Sequence, residues 1–431
     1  MLLHRQTDVN TLARRLTTRD ALAVGLSSMI GAGVFAAFGP AANAVLPAGT
    51  GAALLIALAL AAVVAYANAT SSAQLAAQYP TSGGTYVYGR ERLGFWWGYF
   101  AGWGFVVGKT ASCAAMALTF AAYAAPAGWE RPVAAAAVIA LAAVNYRGVT
   151  RTVRLARWIV SLVLLALAIV VTVALSGGGP DWAHVSASDG GAGLLGGPAG
   201  WYGVLQAAGL LFFAFAGYAR IATMGEEVRD PQRTIPRAIV LALGAVVALY
   251  AVIAVALLAV LGLPGIAGAT APLADAVAVT PWAGGVARVG AAAASLGALL
   301  ALVAGIGRTS LAMARENDLP RWLAAVHPRF RVPHRAEVAL AIVVVALVLT
   351  VDLRGAIGFS SFGVLVYYAV TNLSAWTQTG THRRFPRILQ AVGLTGCLAL
   401  CATLPWTAVL AGVTVFAVGL GVRALRGRSP R

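Results

Sequence analysis

Long apolar runs alternate with short polar connections along the whole chain. Twelve runs stand out, at 20–40, 48–72, 95–124, 132–146, 156–176, 201–225, 236–262, 282–314, 336–351, 355–378, 387–404 and 405–424. Most are near the ~20 residues that a helix needs to cross a ~30 Å hydrocarbon layer. The bilayer core has no water to bond a peptide group, so each run predicts a helix, which satisfies its own backbone. The connections are rich in Gly, Pro and Arg, and their basic residues sort between alternate loops. One side carries Arg5, Arg14, Arg15 and Arg19; Arg90 and Arg92; Arg147, Arg151, Arg154 and Arg157; and Arg229, Arg233 and Arg237. The same side takes the arginines from Arg308 to Arg335, then Arg383, Arg384 and Arg387, then Arg423 to Arg431. The other side has Arg131, Arg288 and Arg354. The positive-inside rule then predicts that both termini are cytoplasmic, and an error of one run would scramble this alternation.

Composition narrows the class. Of 431 residues, 60% are hydrophobic and 10% charged, with a mean hydropathy of +0.82, whereas soluble domains carry about 25% charged residues. The fold class is therefore an all-α polytopic membrane protein, with the lipid bilayer as its solvent. No cleavable signal peptide is expected, because the residues before the first run are polar and basic and that run is long enough to stay in the membrane. The net charge of +17 does not imply a nucleic-acid partner, since the arginines sit where membrane topology puts them. All but one of the 31 basic residues are arginine. With the Ala and Gly bias, this suggests a GC-rich bacterial genome and hence a bacterial cytoplasmic (inner) membrane. Cys113, Cys397 and Cys401 lie in apolar runs, the last two on one helix face, and read as packing residues. No Cys/His spacing fits a metal, and no cofactor is expected.

Two runs contain interruptions. In the first, Gly25-Leu26-Ser27-Ser28-Met29-Ile30-Gly31-Ala32-Gly33-Val34-Phe35 puts Gly31 and Gly33 about ten residues in, ~15–18 Å deep at 1.5 Å per residue. Glycine there either lets the backbone leave the helix and offer peptide groups to a polar ligand, or lets a neighbouring helix pack close. In the sixth, Leu211 to Ala219 is apolar with Gly217 inside it, followed by Thr223 and then Glu226-Glu227-Val228-Arg229-Asp230-Pro231. Breaks in runs 1 and 6 are what two five-helix repeats of opposite topology produce. In such transporters the half-helix N-termini face anionic groups and the freed carbonyls face cations.

Four stretches resemble the amino acid–polyamine–organocation superfamily of secondary transporters, and their order is closest to its cationic amino acid transporter-like branch. Ser27 to Phe35 is similar to the first-helix signature. Phe213 to Ile239 is similar to the sixth-helix signature and the loop after it, through Glu226-Glu227, Asp230-Pro231, Arg233 and Ile235-Pro236-Arg237-Ala238-Ile239. Tyr79 to Tyr86 resembles the segment before helix 3, and Met313 to Pro320 the loop after helix 8. The resemblance implies twelve helices. Residues 1–19 would be a cytoplasmic segment, 20–176 the first inverted repeat, 177–200 an external loop and 201–378 the second repeat, with helices 11 and 12 in 379–431. It also implies alternating access and a pocket between helices 1, 3, 6, 8 and 10. Ser28, Ile30, Gly31, Ala32 and Gly33 would offer backbone groups to the substrate carboxylate. Phe215, Ala216, Gly217 and Tyr218 would offer carbonyls to its amino group and part of the side-chain wall. The chain departs from the pattern at Ala219, where many relatives carry an acid, and at Val163, where some proton-coupled relatives carry a lysine.

These readings lead to an expected function. The chain would be a permease that moves amino acids by secondary active transport, with the proton as coupling ion. An amino acid/polyamine exchanger on the same fold and a transporter-like nutrient sensor are the alternatives. An embedded enzyme would need catalytic groups at depth, but His4, His184, His327, His334 and His382 all fall in loops and the acids in loops or at run ends. The mostly apolar pocket wall favours a neutral or cationic amino acid. Glu226 and Glu227 read as a cytoplasmic ion-pair cluster with the arginines around them. Arg220 either lines the inner path, pairs with those acids or meets an anionic substrate. Tyr86, Tyr88 and Tyr99 read as interfacial anchors. Lys109 is the expected coupling residue. It is the sole lysine, lies mid-way along run 3, costs at least ~2.5–3.5 kcal/mol to bury unpaired, and can release a proton where arginine cannot. A structural cation held by the carbonyls of the broken helices is its other reading.

The topology is testable with single cysteines in a variant lacking Cys113, Cys397 and Cys401. A cysteine in the 79–92 loop is expected to react with an impermeant reagent only from the cytoplasmic side, and one in the 176–200 loop only from outside. Labelling of the second loop from inside alone would overturn the assignment.

Overall fold

The computed structural model describes residues 16–80, 83–148, 153–177, 179–186, 197–225 and 227–426. Glu226, Arg5, Arg14, Arg15, Arg151, Thr81, Ser82, residues 178 and 187–196 of the 177–200 loop and the tail after Arg426 lie outside the described residues. The rest is helical: α1 (Thr18–Met29), α2 (Ala32–Ala36), α3 (Phe38–Val45), α4 (Gly51–Gln78), α5 (Thr85–Leu93), α6 (Phe95–Ala124), α7 (Glu130–Tyr146), α8 (Val153–Gly177), α9 (Ala183–Ser186), α10 (Pro198–Phe215), α11 (Ala219–Ala222), α12 (Pro231–Gly268), α13 (Pro272–Asp275), α14 (Pro281–Arg315), α15 (His334–Thr350), α16 (Leu353–Trp376), α17 (Arg387–Thr403) and α18 (Trp406–Arg426). An isolated β-bridge pairs Leu16 with Val228.

Nine stretches among the described residues are long and apolar enough to cross a membrane, counting α1–α2 and α10–α11 as one each. Helices α7, α15 and α17 have 17 residues each and coincide with the predicted runs at 132–146, 336–351 and 387–404. The bundle presents Trp158, Leu165, Ile342 and Trp406 outward, each at least 60% exposed. Such a coat suits lipid, and the protein is an all-helical polytopic membrane protein.

Local sequence sets the helix ends. Thr17 and Asp20 form a reciprocal capping box that starts α1, which satisfies two orphan amides. Asp352 caps α16 through the Gly355 amide at 3.0 Å. Gly94 takes a positive φ of 102° and separates α5 from α6, a conformation that favours a residue without Cβ. Small residues let the central helices approach. A Cβ on Gly363 of α16 would fall 2.7 Å from the Gly108 Cα of α6. This contact holds α6 at the centre of the bundle, against α16 and α14.

The three tyrosines expected at the interface are buried instead, with Tyr86, Tyr88 and Tyr99 at 6%, 1% and 2% exposure. Trp96 and Trp97 take the exposed positions beside them. Tyr88 donates to the Ala222 carbonyl at 3.4 Å and Tyr99 to the Gly419 carbonyl at 2.7 Å, while Tyr86 joins an ion cluster at the arginine-rich end. The Tyr86 hydroxyl donates to Asp318 at 2.6 Å, and Arg90 donates to that hydroxyl at 2.7 Å. Arg423 of α18 meets Asp318 at 2.9 Å, and Arg90 lies 3.6 Å from it. Arg423 also covers the Phe95 ring at 4.4 Å. Burial pushes the Asp318 carboxyl above its ordinary range, against the pull of Tyr86, Arg423 and Arg90. The expected cluster around Glu227 does not form among the described residues. There Arg233 pairs with Asp230 at 3.8 Å, while Glu227 lines a cavity together with Arg220.

Asp318→Ala strands the largely buried Arg423 and is expected to cost roughly 3–5 kcal/mol. Glu316→Ala removes a half-exposed partner of Arg90 and is expected to cost less than about 1 kcal/mol. Thermal unfolding of the two variants in detergent checks the ranking, and equal melting temperatures would refute it.

Candidate functional site

The predicted breaks are real. Helix α1 ends at Met29, Ile30 has φ −80° and ψ 55°, Gly31 has φ −104° and ψ −143°, and α2 starts at Ala32 with no side-chain cap. Helix α10 ends at Phe215, tightens into a 3-10 turn over Ala216–Tyr218, and resumes as α11. Ending a helix strands its last carbonyls, and side chains from elsewhere satisfy them here. The buried Tyr250 hydroxyl of α12 is shared between the Met29 carbonyl at 2.7 Å and the Ala214 carbonyl at 3.1 Å. It ties the end of α1 to the end of α10. The Ala216 carbonyl accepts from the Lys109 ammonium at 3.3 Å and from the Tyr368 hydroxyl at 3.4 Å.

The two interrupted segments also touch directly. A Cβ on Gly217 would lie 2.3 Å from the Ser28 carbonyl oxygen, and one on Gly33 would lie 2.5 Å from the Ala214 Cα. A Cβ on Gly31 would lie 3.0 Å from the Ala298 Cβ. Both readings of these glycines therefore hold, since the backbone leaves the helix and the same residues let neighbours pack close. A side chain at Gly217 or Gly31 would meet protein first, rather than the space of a ligand.

Beside these breaks lies a cavity of about 330 Å³, at the low end of the ~300–1,000 Å³ typical of small-molecule sites. Phe105, Lys109, Ser112 and Met116 of α6 line it at helical spacing. Ala298, Ala301, Gly305, Arg308 and Ala312 of α14 form the facing wall. Ser28, Ala216 and Gly217 complete it at the breaks, with Arg220, Thr223 and Glu227 beyond them toward the arginine-rich end. About two turns beyond Met116 on α6, the Tyr123 hydroxyl contacts the Phe35 carbonyl at 3.1 Å and accepts from the Leu273 amide at 3.3 Å. The Phe35 and Tyr123 rings meet edge to face at 5.6 Å.

Of the residues expected at the site, Ser28, Ala216, Gly217 and Lys109 line this cavity. Ile30, Gly31, Ala32 and Gly33 are buried around the break. Phe215 packs on Tyr250 with ring centroids 5.1 Å apart, and Tyr218 stacks on Tyr368 at 5.0 Å. Lys109 is 9% exposed, and no carboxylate lies within ion-pair distance of it among the described residues. Arg308 was absent from the expected set. Its signal was present, since 298, 301, 305, 308 and 312 share one helix face.

The junction makes a stability test. Tyr250→Phe leaves the Met29 and Ala214 carbonyls short of a donor and is expected to cost about 1–3 kcal/mol, and Gly217→Ala more through its clash with Ser28. A lowered melting temperature in detergent for both, relative to wild type, checks this; no change would contradict the described junction.

Comparison with known proteins agrees with this architecture. The family model described as amino acid permease matches residues 16–422. The chain is 58% identical over 425 residues to an uncharacterised transporter of Mycobacterium tuberculosis, covering 97% of this chain and 93% of the relative. It is 26% identical to a methylthioribose transporter of Bacillus subtilis, with 99% and 96% of the two chains covered. It is 24% identical to a branched-chain amino acid permease of the same organism, with 97% and 94% covered. The chain belongs to the amino acid permease family, within the amino acid–polyamine–organocation superfamily.

Proposed function

We propose that this permease moves amino acids across the bacterial cytoplasmic membrane by alternating access, driven by protons, with both termini in the cytoplasm. The observation that carries the reading is the Lys109 ammonium on the Ala216 carbonyl, where the broken sixth segment meets the cavity. Residues 20–176 and 201–378 act as the two inverted repeats of a twelve-helix fold, joined by an external loop at 177–200. Residues 1–19 form a cytoplasmic segment, and 379–431 lie outside the repeats. The substrate carboxylate takes backbone groups from Ser28 and the Ile30–Gly33 break, with Gly31 and Ala32 between them. The amino group takes carbonyls of the Phe215–Tyr218 turn, chiefly Ala216 and Gly217. A cavity that reaches Arg220, Glu227 and Arg308 at the arginine-rich end, with Phe35, Tyr123 and Leu273 packed together farther along α6, supports an inward-open state of such a cycle.

Lys109 couples the proton to this movement. When charged, it occupies the Ala216 carbonyl; when neutral, it frees that carbonyl for the substrate ammonium and loosens α6 from α10. A lysine suits this role because its ammonium gives up a proton far more readily than a guanidinium. Uptake of labelled amino acids into proteoliposomes, with and without a pH gradient, tests the whole reading. Lys109→Ala and Lys109→Arg are each expected to lose at least tenfold of the pH-driven uptake, while Lys109→Arg retains exchange. Wild-type accumulation by Lys109→Ala on a pH gradient would remove Lys109 from the coupling role.

A further inference from the structure

The charges on the cavity wall bear on the substrate's side chain, given the permease reading above. Arg220 stands on α11, four residues past Ala216 and so ~6 Å farther along the segment. Arg308 faces it from α14, and both line the cavity with Lys109. Glu227 is the one acid on that wall among the described residues, and it lies beyond ion-pair distance of Arg220. Arg220 makes a 3.4 Å contact to the Thr223 hydroxyl one turn on. Arg308 donates to the Ala304 carbonyl of its own helix at 3.3 Å. Each fork thus keeps most of its donors free, with Arg220 part-buried in the cavity and Arg308 exposed at its arginine-rich mouth.

The geometry points to an amino acid with a carboxylate side chain as the substrate, its second carboxylate held by Arg220 and Arg308. The amino and α-carboxylate groups sit at Ser28, Ala216 and Gly217, and an extended two- or three-carbon acid spans the one helical turn from there to Arg220. A guanidinium fork matches a carboxylate with paired hydrogen bonds. A lysine or arginine substrate brings a further cation into a cavity that already holds three, and a leucine leaves both forks without an anion. This reverses the expectation of a neutral or cationic side chain, which rested on the apolar residues of the wall and did not include Arg308.

The test uses the full-length protein in proteoliposomes with labelled L-glutamate, L-aspartate, L-leucine and L-arginine. Glutamate or aspartate is expected to accumulate and to be unaffected by excess arginine. Arg220→Gln is expected to raise the KM for the acidic substrate at least tenfold, and Arg220→Lys, which keeps the charge without the fork, to recover part of the loss. In a readout that needs no variant, millimolar glutamate or aspartate raises the melting temperature of the wild-type protein in detergent and arginine does not. Leucine or arginine uptake with neither transport of, nor stabilisation by, the two acids overturns the side-chain assignment and leaves the permease reading standing. No uptake and no stabilisation by any of the four overturns both. Wild-type KM for the acidic substrate in a folded Arg220→Gln overturns the role of Arg220.

Discussion

Every peptide group released inside a membrane must find a partner within the protein, and the centre of this molecule is organised by that demand. Ending α1 at Met29 and α10 at Phe215 strands carbonyls with no water to receive them. Three side chains from three other helices answer: Tyr250 from α12, Lys109 from α6 and Tyr368 from α16. Each is buried to 9% exposure or less. The breaks are therefore joints between neighbouring helices as well as gaps in two of them. Their contact surface is made by Gly217 against Ser28 and Gly33 against Ala214, where backbone meets backbone.

Charge follows the same logic at two depths. At the arginine-rich end, Asp318 gathers Arg90, Arg423 and the Tyr86 hydroxyl, tying α5, the loop after α14 and α18 into one cluster. Its cations are answered by an anion, so it reads as structure. In the cavity the balance is different. Lys109, Arg220 and Arg308 share the wall with Glu227 among the described residues, and Glu337 of α15 stands near Arg308, so the cations outnumber the acids and none of the three is in an ion pair there. A surplus of one sign along a cavity wall attracts a ligand of the other sign. Both places gather arginines, and the buried Asp318 is what ties them together at the first.

The comparisons set limits on how far family membership reaches. Relatives covered along nearly their whole length carry names as different as a methylthioribose transporter and a branched-chain amino acid permease. One fold thus serves different substrates, and specificity has to be argued from the wall of the site. Here that wall is read by a few side chains on one face of α6 and one face of α14.

Much of this was legible in the chain by itself. Apolar run length determined the helices, with α6 and α14 matching their predicted runs to within a residue, because a run's length against the hydrocarbon thickness is a local property. Glycine placement determined where helices 1 and 6 break, because a residue without Cβ is needed wherever backbones leave the helix or touch. The unusual depth of Lys109 singled it out before any partner was known. Tertiary structure decided the rest. Interfacial sequence cues put Tyr86, Tyr88 and Tyr99 at the membrane surface. Their burial follows from partners distant in sequence: Asp318 for Tyr86, the Ala222 carbonyl for Tyr88 and the Gly419 carbonyl for Tyr99. The side chain that joins the two breaks, Tyr250, carries no local signal, since its partners come from α1 and α10. Helical spacing puts Arg308 on one face with Ala298 and Gly305, but which space that face meets is set by how α14 packs on α6. Periodicity specifies faces; only packing in three dimensions decides what each face meets.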